Sequence, residues 1–360
     1  MRWSLGAGLL AVATFRSTVG AQEAYPSFVI SSRIQTQFYA FDNDNLPKSG
    51  STSNFFLRRA RIQLNGKIRE NISFVIQPSF EGGRATLVRL RDAYIDIRAT
   101  KAASRTSFTF RMGAEKKPYN RYELSTSNNL PSLERNAGRG LLPIASNNLF
   151  EAGGYLATDL GASLILGHQF DSTRRLSVQL GAYNGQGESV HDVNGAKSVG
   201  IRGTVDVTRK LGLGVSFFSH DGIVTLSPTQ IDSSFRNSGF GLEAQWGQIG
   251  AKGLLILADY MRGEAFSATS PTMDGLSLIT AFHVRTPRSK ALYAVEPAFR
   301  FDWADPDTDS PDDASTLISA GINIYLTAKA QLRVMFESQN LQQPGAATIS
   351  GLRTAWTMNF

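Results

Sequence analysis

Apolar and polar positions alternate with a period of two from Phe28 to the last residue, and no segment holds a 3.6-residue period for the length of a helix. The alternation divides into sixteen predicted strands. These cover residues 28–40, 54–68, 72–81, 86–98, 105–113, 161–169, 174–183, 197–208, 211–220, 237–247, 252–262, 274–285, 291–302, 314–326, 330–340 and 350–360. Successive side chains of a strand point to opposite faces, so each segment presents one apolar and one polar side. In the second strand Phe56, Ala60, Ile62 and Leu64 oppose Arg59, Arg61, Gln63, Asn65 and Lys67. In the fifth, Phe108, Phe110 and Met112 oppose Ser107, Thr109 and Arg111, and in the eighth Val199, Ile201, Val205 and Val207 oppose Arg202, Thr204 and Asp206. The fourth breaks the rule: strict alternation puts Arg89 and Arg91 on the side of Ile95 and Ile97, which calls for a bulge or an early strand end.

The connections alternate too. Short ones such as 69–71, 170–173, 209–210 and 327–329 interleave with long polar ones such as 41–53, 184–196, 221–236 and 303–313, the Gly82-Gly83-Arg84 turn excepted. The longest, 114–160, has no strand pattern, and a structureless interval of that size inside a compact domain is read here as a functional loop. Strand lengths cluster near the roughly 9 to 11 residues that a tilted strand needs to cross a bilayer. Short turns at one end and long loops at the other are the pattern of outer-membrane barrels. The expected fold is all-β, a sixteen-stranded antiparallel transmembrane β-barrel with residues 114–160 folded into its mouth. No interior stretch approaches 18 consecutive apolar residues, which excludes spanning helices and leaves a closed barrel as the way to satisfy the backbone in lipid.

The N-terminus supports export. Arg2 is a short positive region, Leu5 to Thr14 an apolar one, and Val19-Gly20-Ala21 a small-residue cleavage site, so residues 1–21 read as a signal peptide and the barrel as 22–360. The absence of cysteine rules out disulfides and thiolate metal sites. Lys and Arg exceed Asp and Glu by 7, with 27 arginines to 10 lysines. The arginines are scattered one or two per strand rather than clustered, which speaks against nucleic acid.

From Phe55 to Gly66, read as Phe-Phe-Leu-Arg-Arg-Ala-Arg-Ile-Gln-Leu-Asn-Gly, the chain resembles the phosphate-selective porin O and P family. The resemblance continues through Arg91-Asp92-Ala93-Tyr94-Ile95, Gly113-Ala114-Glu115-Lys116-Lys117-Pro118-Tyr119, Glu123 to Ser127, Leu133-Glu134-Arg135 and Gly181 to Gly185. It covers about a third of the chain and implies a trimeric outer-membrane channel whose third loop narrows the pore and supplies cations. Glu115 departs from the family's aromatic residue, and lysines are scarce, so any basic ladder is built mainly of arginine. Arg59, Arg61, Arg111, Arg202, Arg300, Arg333 and Arg353 have inward parity, as do Glu81, Asp92, Asp96, Asp206, Glu243, Glu296 and Glu337, so neutralised pairs are the alternative reading.

The residues expected to line the pore and meet the substrate are Arg59, Arg61, Arg111, Lys116, Lys117 and Arg135. The expected function is passive diffusion of small anions, with phosphate or polyphosphate a narrower version and a general diffusion porin or structural barrel the alternative. The expected partners are lipid and lipopolysaccharide, sister subunits in a homotrimer, and the barrel-assembly machinery through the terminal Phe360. No cofactor or metal is expected. The Asp-rich run from Asp302 to Asp313 lacks the Gly and closing Glu of an EF-hand and reads as a solvated loop. His168, His191, His220 and His283 are too far apart for a ligand motif, and no enzyme is expected.

Overall fold

The computed structural model describes residues 25–42, 53–80, 88–127, 130–135, 145–187, 192, 194–224, 233–267, 269–287, 289, 291–342 and 348–360. The expected leader, the Gly82-Gly83-Arg84 turn, Glu81 and His191 lie outside these residues. The strands are β1 (Ser27–Phe41), β2 (Ser53–Arg69), β3 (Ile72–Ser79), β4 (Arg89–Arg98), β5 (Thr106–Lys116), β6 (Thr158–Gln169), β7 (Arg175–Tyr183) and β8 (Ser198–Asp206). They continue with β9 (Leu211–Val224), β10 (Ser233–Trp246), β11 (Gly253–Glu264), β12 (Thr272–Arg285), β13 (Ala294–Asp305), β14 (Ser315–Tyr325), β15 (Ala330–Leu341) and β16 (Ile349–Asn359). Each pairs antiparallel with its sequence neighbours, and β1 pairs with β16 from Arg33↔Asn359 to Phe41↔Gly351, closing the barrel. The terminal Phe360 fastens this seam, exchanging backbone hydrogen bonds with Ser32 at 2.7 and 3.0 Å. Closure leaves no unpaired sheet edge.

The outer face carries the apolar residues of the alternation. Met112, Ile95, Ile201, Val215, Phe217, Leu242, Phe336 and Trp356 are all exposed, the expected result where the surrounding medium is hydrocarbon. The inner face holds Gln35, Arg59, Glu243, Asp259, Glu296, Arg300, Asn323, Arg333 and Arg353, all buried.

Two bulges correct the simple parity reading. In β2, Gln35 pairs with Arg59 while Thr36 pairs with Leu57, so Arg58 is the extra residue. Beyond the bulge the faces swap. Phe55 and Leu57 point outward, and Phe56, expected outside, instead turns toward Tyr39 with ring centroids 5.9 Å apart. In β4, Gln77 pairs with Asp92 while Pro78 pairs with Leu90, which leaves Arg91 as the bulged residue. Pro78 has no N–H to give the ladder, and a bulge is one of the few places in a sheet that tolerates this.

The strands that flank the interval expected to run from 114 to 160 reach further into it than the sequence suggests. β5 continues to Lys116 and β6 begins at Thr158, and the segment between them contains α1 (Arg121–Leu124) and α2 (Ser146–Ala152). It supplies much of the buried apolar core, which lies inside the barrel. Tyr119, Leu149, Phe150, Tyr155 and Leu156 pack with Tyr183, Phe218, Met261, Met273 and Ala304. Tyr122, Leu130 and Leu133 pack with Leu255, Leu257, Ile279, Ala281, Ala298, Met335 and Ala355.

Candidate functional site

The segment after β5 is anchored to one side of the barrel. The Tyr119 hydroxyl donates to the Phe240 carbonyl at 2.6 Å, and that of Tyr155 to the Glu264 carbonyl at 2.9 Å. Asn237 Nδ2 donates to the Gly153 carbonyl at 2.9 Å. Asn120 accepts from the Glu123 amide at 3.0 Å and so starts α1. Further along, Asn323 Nδ2 donates to the Pro131 carbonyl at 2.8 Å and Arg333 to that of Ser132 at 3.3 Å. Arg300 donates to the carbonyls of Glu134 and Arg135 at 2.5 and 2.6 Å, and Ser146 Oγ donates to Asp302 at 2.8 Å. These anchors come from β10 to β15, while on the opposite side the segment reaches β1 and β2 through the side chains of Ser127 and Glu134 and leaves space against the rest of the β1–β5 wall.

That space is a cavity of about 460 Å³. Arg33 of β1, Arg58, Arg59 and Arg61 of β2, Arg91 of β4 and Arg111 of β5 line one side, with Lys116 and Arg135 completing the cations. Against these eight stand four carboxylates, Asp92, Glu123, Glu134 and Glu151. A second cavity of about 170 Å³ opens toward the chain terminus and shares Arg33, Arg61, Gln63 and Gln77 with the first, adding Lys329 and Asn359. The two cavities thus meet along the β1–β4 wall at Arg33 and Arg61, which line both.

Five of the six sequence-predicted residues line the larger cavity: Arg59, Arg61, Arg111, Lys116 and Arg135. Arg111 is held bidentate by Asp96 at 2.7 and 2.9 Å, with its guanidinium 3.8 Å from the centre of the Tyr94 ring. Lys116 and Arg135 share Glu123, at 3.2 and 3.4 Å. Burial pushes the Glu123 carboxyl up, but Lys116 and Arg135 outweigh it and hold the group below the usual range, so it stays ionised.

Lys117 is the exception. It is buried behind the segment, its Nζ donating to the Gly154 carbonyl at 2.5 Å and lying 5.6 Å from the Phe218 ring. Adjacent residues of an extended chain point opposite ways, so the Lys116-Lys117 pair cannot put both amines in one passage. Burial lowers the Lys117 pKa from 10.5 to about 8, against the attraction of Asp159, Glu151 and Glu123. A lysine whose pKa falls on folding costs stability in full below the folded value. That cost fades as pH rises from about 8 to about 10.5. Thermal unfolding in detergent should therefore show the barrel gaining up to about 3 kcal/mol over this window, at about 1.4 kcal/mol per pKa unit. Lys117→Met should reduce the gain by this amount relative to the wild type; an equal gain in the variant would contradict this placement.

The remaining inward arginines hold the protein together instead of lining the path. Arg202 and Arg121 converge on Glu243 at 2.5 and 3.3 Å, Arg300 pairs with Asp302, and Arg353 with Glu337 at 3.0 Å. Sequence reading missed Arg33, Arg58 and Arg91 in the lining. The polar run Arg33-x-Gln35-x-Gln37 was a usable signal for the first, while the other two reach the lumen only through bulges. Among the described residues no group of three or more His, Asp or Glu is placed to hold a metal. In the acidic loop, Asp305 and Asp307 accept hydrogen bonds from backbone amides two residues on, each at 3.2 Å.

Comparison with known proteins agrees with this architecture. An anion-selective porin from Comamonas acidovorans is 12% identical, with a TM-score of 0.62 over 93% of this chain and 100% of its own. OmpT of Vibrio cholerae, solved in a trimer form, is 12% identical with a TM-score of 0.58 over 93% and 99%. The outer membrane channel DcaP of Acinetobacter baumannii is 11% identical with a TM-score of 0.57 over 94% and 98%. At these identities the likeness is one of fold. A search of curated protein sequences finds no significant match. The family model of the phosphate-selective porins O and P matches residues 28–236, more than half of the 360 residues, and the chain belongs to that family.

Proposed function

We propose that this outer-membrane barrel is a passive channel for small anions, with the passage between the β1–β5 wall and the 117–157 segment as its narrow part. The observation that carries the reading is the charge of that passage, eight cations to four carboxylates. An anion entering a narrow pore gives up water, and a fixed excess of positive charge offsets that cost while raising the cost for cations. The porin O and P family and the fold are those of channels, and the buried polar groups fit a non-enzymatic role. Ser198 and His220 lie 3.2 Å apart, but both are buried, and the Ser198 hydroxyl also accepts from the Asp221 amide at 2.9 Å.

Phosphate is the narrower version of the proposal, favoured by arginine forks that match paired oxygens. A general diffusion porin is the competing reading, favoured by pairs such as Arg111–Asp96 that cancel part of the charge. Added phosphate separates the two, since it saturates a chloride current only where there is a binding site. In planar bilayers Lys116→Ala with Arg135→Ala should lower anion-over-cation permeability, because the formal excess falls from four to two. An unchanged reversal potential would remove these residues from the lining.

The chain is further proposed to lose residues 1–21 on export, to be recognised for assembly through Phe360, to sit among lipid and lipopolysaccharide, and to assemble as a homotrimer like the trimeric neighbour above. The mass of the mature chain and chemical cross-linking in native membranes test the first and last of these.

A further inference from the structure

Glu134 is held differently from every other acid of the passage. Its backbone belongs to the anchoring side: its carbonyl accepts from Arg300 Nη1 at 2.5 Å, Ser132 Oγ at 2.9 Å and the Tyr122 hydroxyl at 3.3 Å. Its side chain leaves that side and ends on β1 and β2. There Oε1 accepts from Gln37 Nε2 at 2.5 Å, Arg58 Nε at 2.9 Å and Arg59 Nη1 at 3.1 Å. Oε2 accepts from Arg58 Nη2 at 2.9 Å and Arg59 Nη2 at 2.8 Å.

Two guanidinium forks and an amide thus converge on one carboxylate, an arrangement suited to any group that presents two oxygens side by side. The bulge at Arg58 makes it possible, since it turns two consecutive arginines to the same face. Burial disfavours a charged Glu134, yet Arg59 and Arg58 hold it below the usual carboxylate range, so the group remains an anion.

We propose that Arg58, Arg59 and Gln37 form an oxyanion subsite which the chain fills with its own Glu134, so that a permeating phosphate or carboxylate must displace this tethered anion to bind. The proposal rests on the anion-channel reading and names the residue that tunes it. Conduction needs sites that ions can leave, and a tethered competitor weakens binding without removing the donors. Chloride, lacking paired oxygens, gains less from the forks and is less affected by the competitor.

The test uses the full-length protein in planar bilayers, with inorganic phosphate as the probe against a chloride current. Glu134→Gln keeps the backbone ties to Arg300 and Ser132 and removes the charge. The phosphate concentration that halves the current should fall about tenfold, the equivalent of about 1.4 kcal/mol in binding. Arg58→Gln with Arg59→Gln should raise it instead, with or without Glu134. An unchanged half-blocking concentration in Glu134→Gln overturns the proposal. So does a several-fold rise in conductance at about 1 M salt, where charges are screened beyond about 3 Å, because Glu134 would then merely pin the segment. Should Glu134→Gln not assemble, Glu134→Asp, one methylene short of the forks, is expected to strengthen the block in the same direction, and no change there overturns the idea equally. A wild-type channel that prefers cations defeats the anion-channel reading itself, whereas an anion-selective wild type with an unresponsive Glu134→Gln defeats only the tethered-anion proposal.

Discussion

Exchanging Arg33 and Arg61 for glutamate is expected to abolish the anion preference of the channel. Both residues line the larger cavity and the one beneath it, so no ion takes this path without passing them. Two Arg→Glu exchanges take the formal excess of four positive charges to zero. Charges act over roughly 10 Å at 0.1 M salt, and a unit charge 4 Å away is worth about 1 kcal/mol even in bulk water. The ratio of chloride to potassium permeability should fall to about unity at low salt, where such fixed-charge selectivity is greatest. Arg33→Gln with Arg61→Gln should be intermediate, because the excess falls only to two. The fold should tolerate the change. Arg33 donates to Asn359 Oδ1 and Ser127 Oγ at 3.1 and 2.6 Å, and its charged neighbours are Arg59, Arg61, Arg135 and Arg333. In the double variant Arg59, Arg135 and Arg333 remain around the new carboxylates and offset the repulsion between them. Undiminished anion selectivity in the double glutamate variant would mean that ions travel elsewhere.

Arg300→Ala should have the largest structural effect. Arg300 is buried on β13, where Nε donates to Asp302 and the two Nη groups hold the carbonyls of Glu134 and Arg135. Its guanidinium also lies 5.5 Å from the centre of the Tyr122 ring. Removing it leaves the fully buried Asp302 without its counter-ion, a change that costs about 3 to 5 kcal/mol. The loss falls where residues 130–135 meet the wall, so the inner segment should loosen before the barrel opens. The expected signs are a lower melting temperature in detergent, a larger single-channel conductance and weaker selectivity. Arg300→Lys keeps a cation near Asp302 but cannot fork to two carbonyls, so it should restore stability better than selectivity. A folded Arg300→Ala channel with wild-type conductance would show that this contact does not set the aperture.

The barrel was readable from residue parity because lipid outside and water inside impose opposite chemistry on alternate positions, and sixteen strands repeat the message. Parity failed at Arg58 and Arg91, where one inserted residue swaps the faces, and only the second left a visible conflict in the sequence. α1 and α2, of four and seven residues, are too short to show a helical period. The division of labour among inward arginines was not readable at all. Arg59 and Arg300 have the same parity and similar burial, yet one lines the passage and meets the segment through the Glu134 carboxylate, while the other holds its backbone carbonyls away from the passage. The difference lies in which parts of the segment meet each wall, and that depends on long-range packing such as the cluster that gathers Tyr122 with Leu257 and Ile279, which no local pattern announces. Lys117 was misplaced for the complementary reason: two adjacent lysines looked like one basic patch, but the chain turns them to opposite sides of the segment.

The most direct test of a charge-biased anion passage is the zero-current potential of the wild-type protein in a planar bilayer across a tenfold gradient of potassium chloride. Chloride moving down its gradient makes the dilute side negative, toward a limit of about 59 mV for a perfectly selective monovalent pore. A negative dilute side is the expected result. A dilute side that is positive, or at zero, would contradict the central role assigned to the arginine wall.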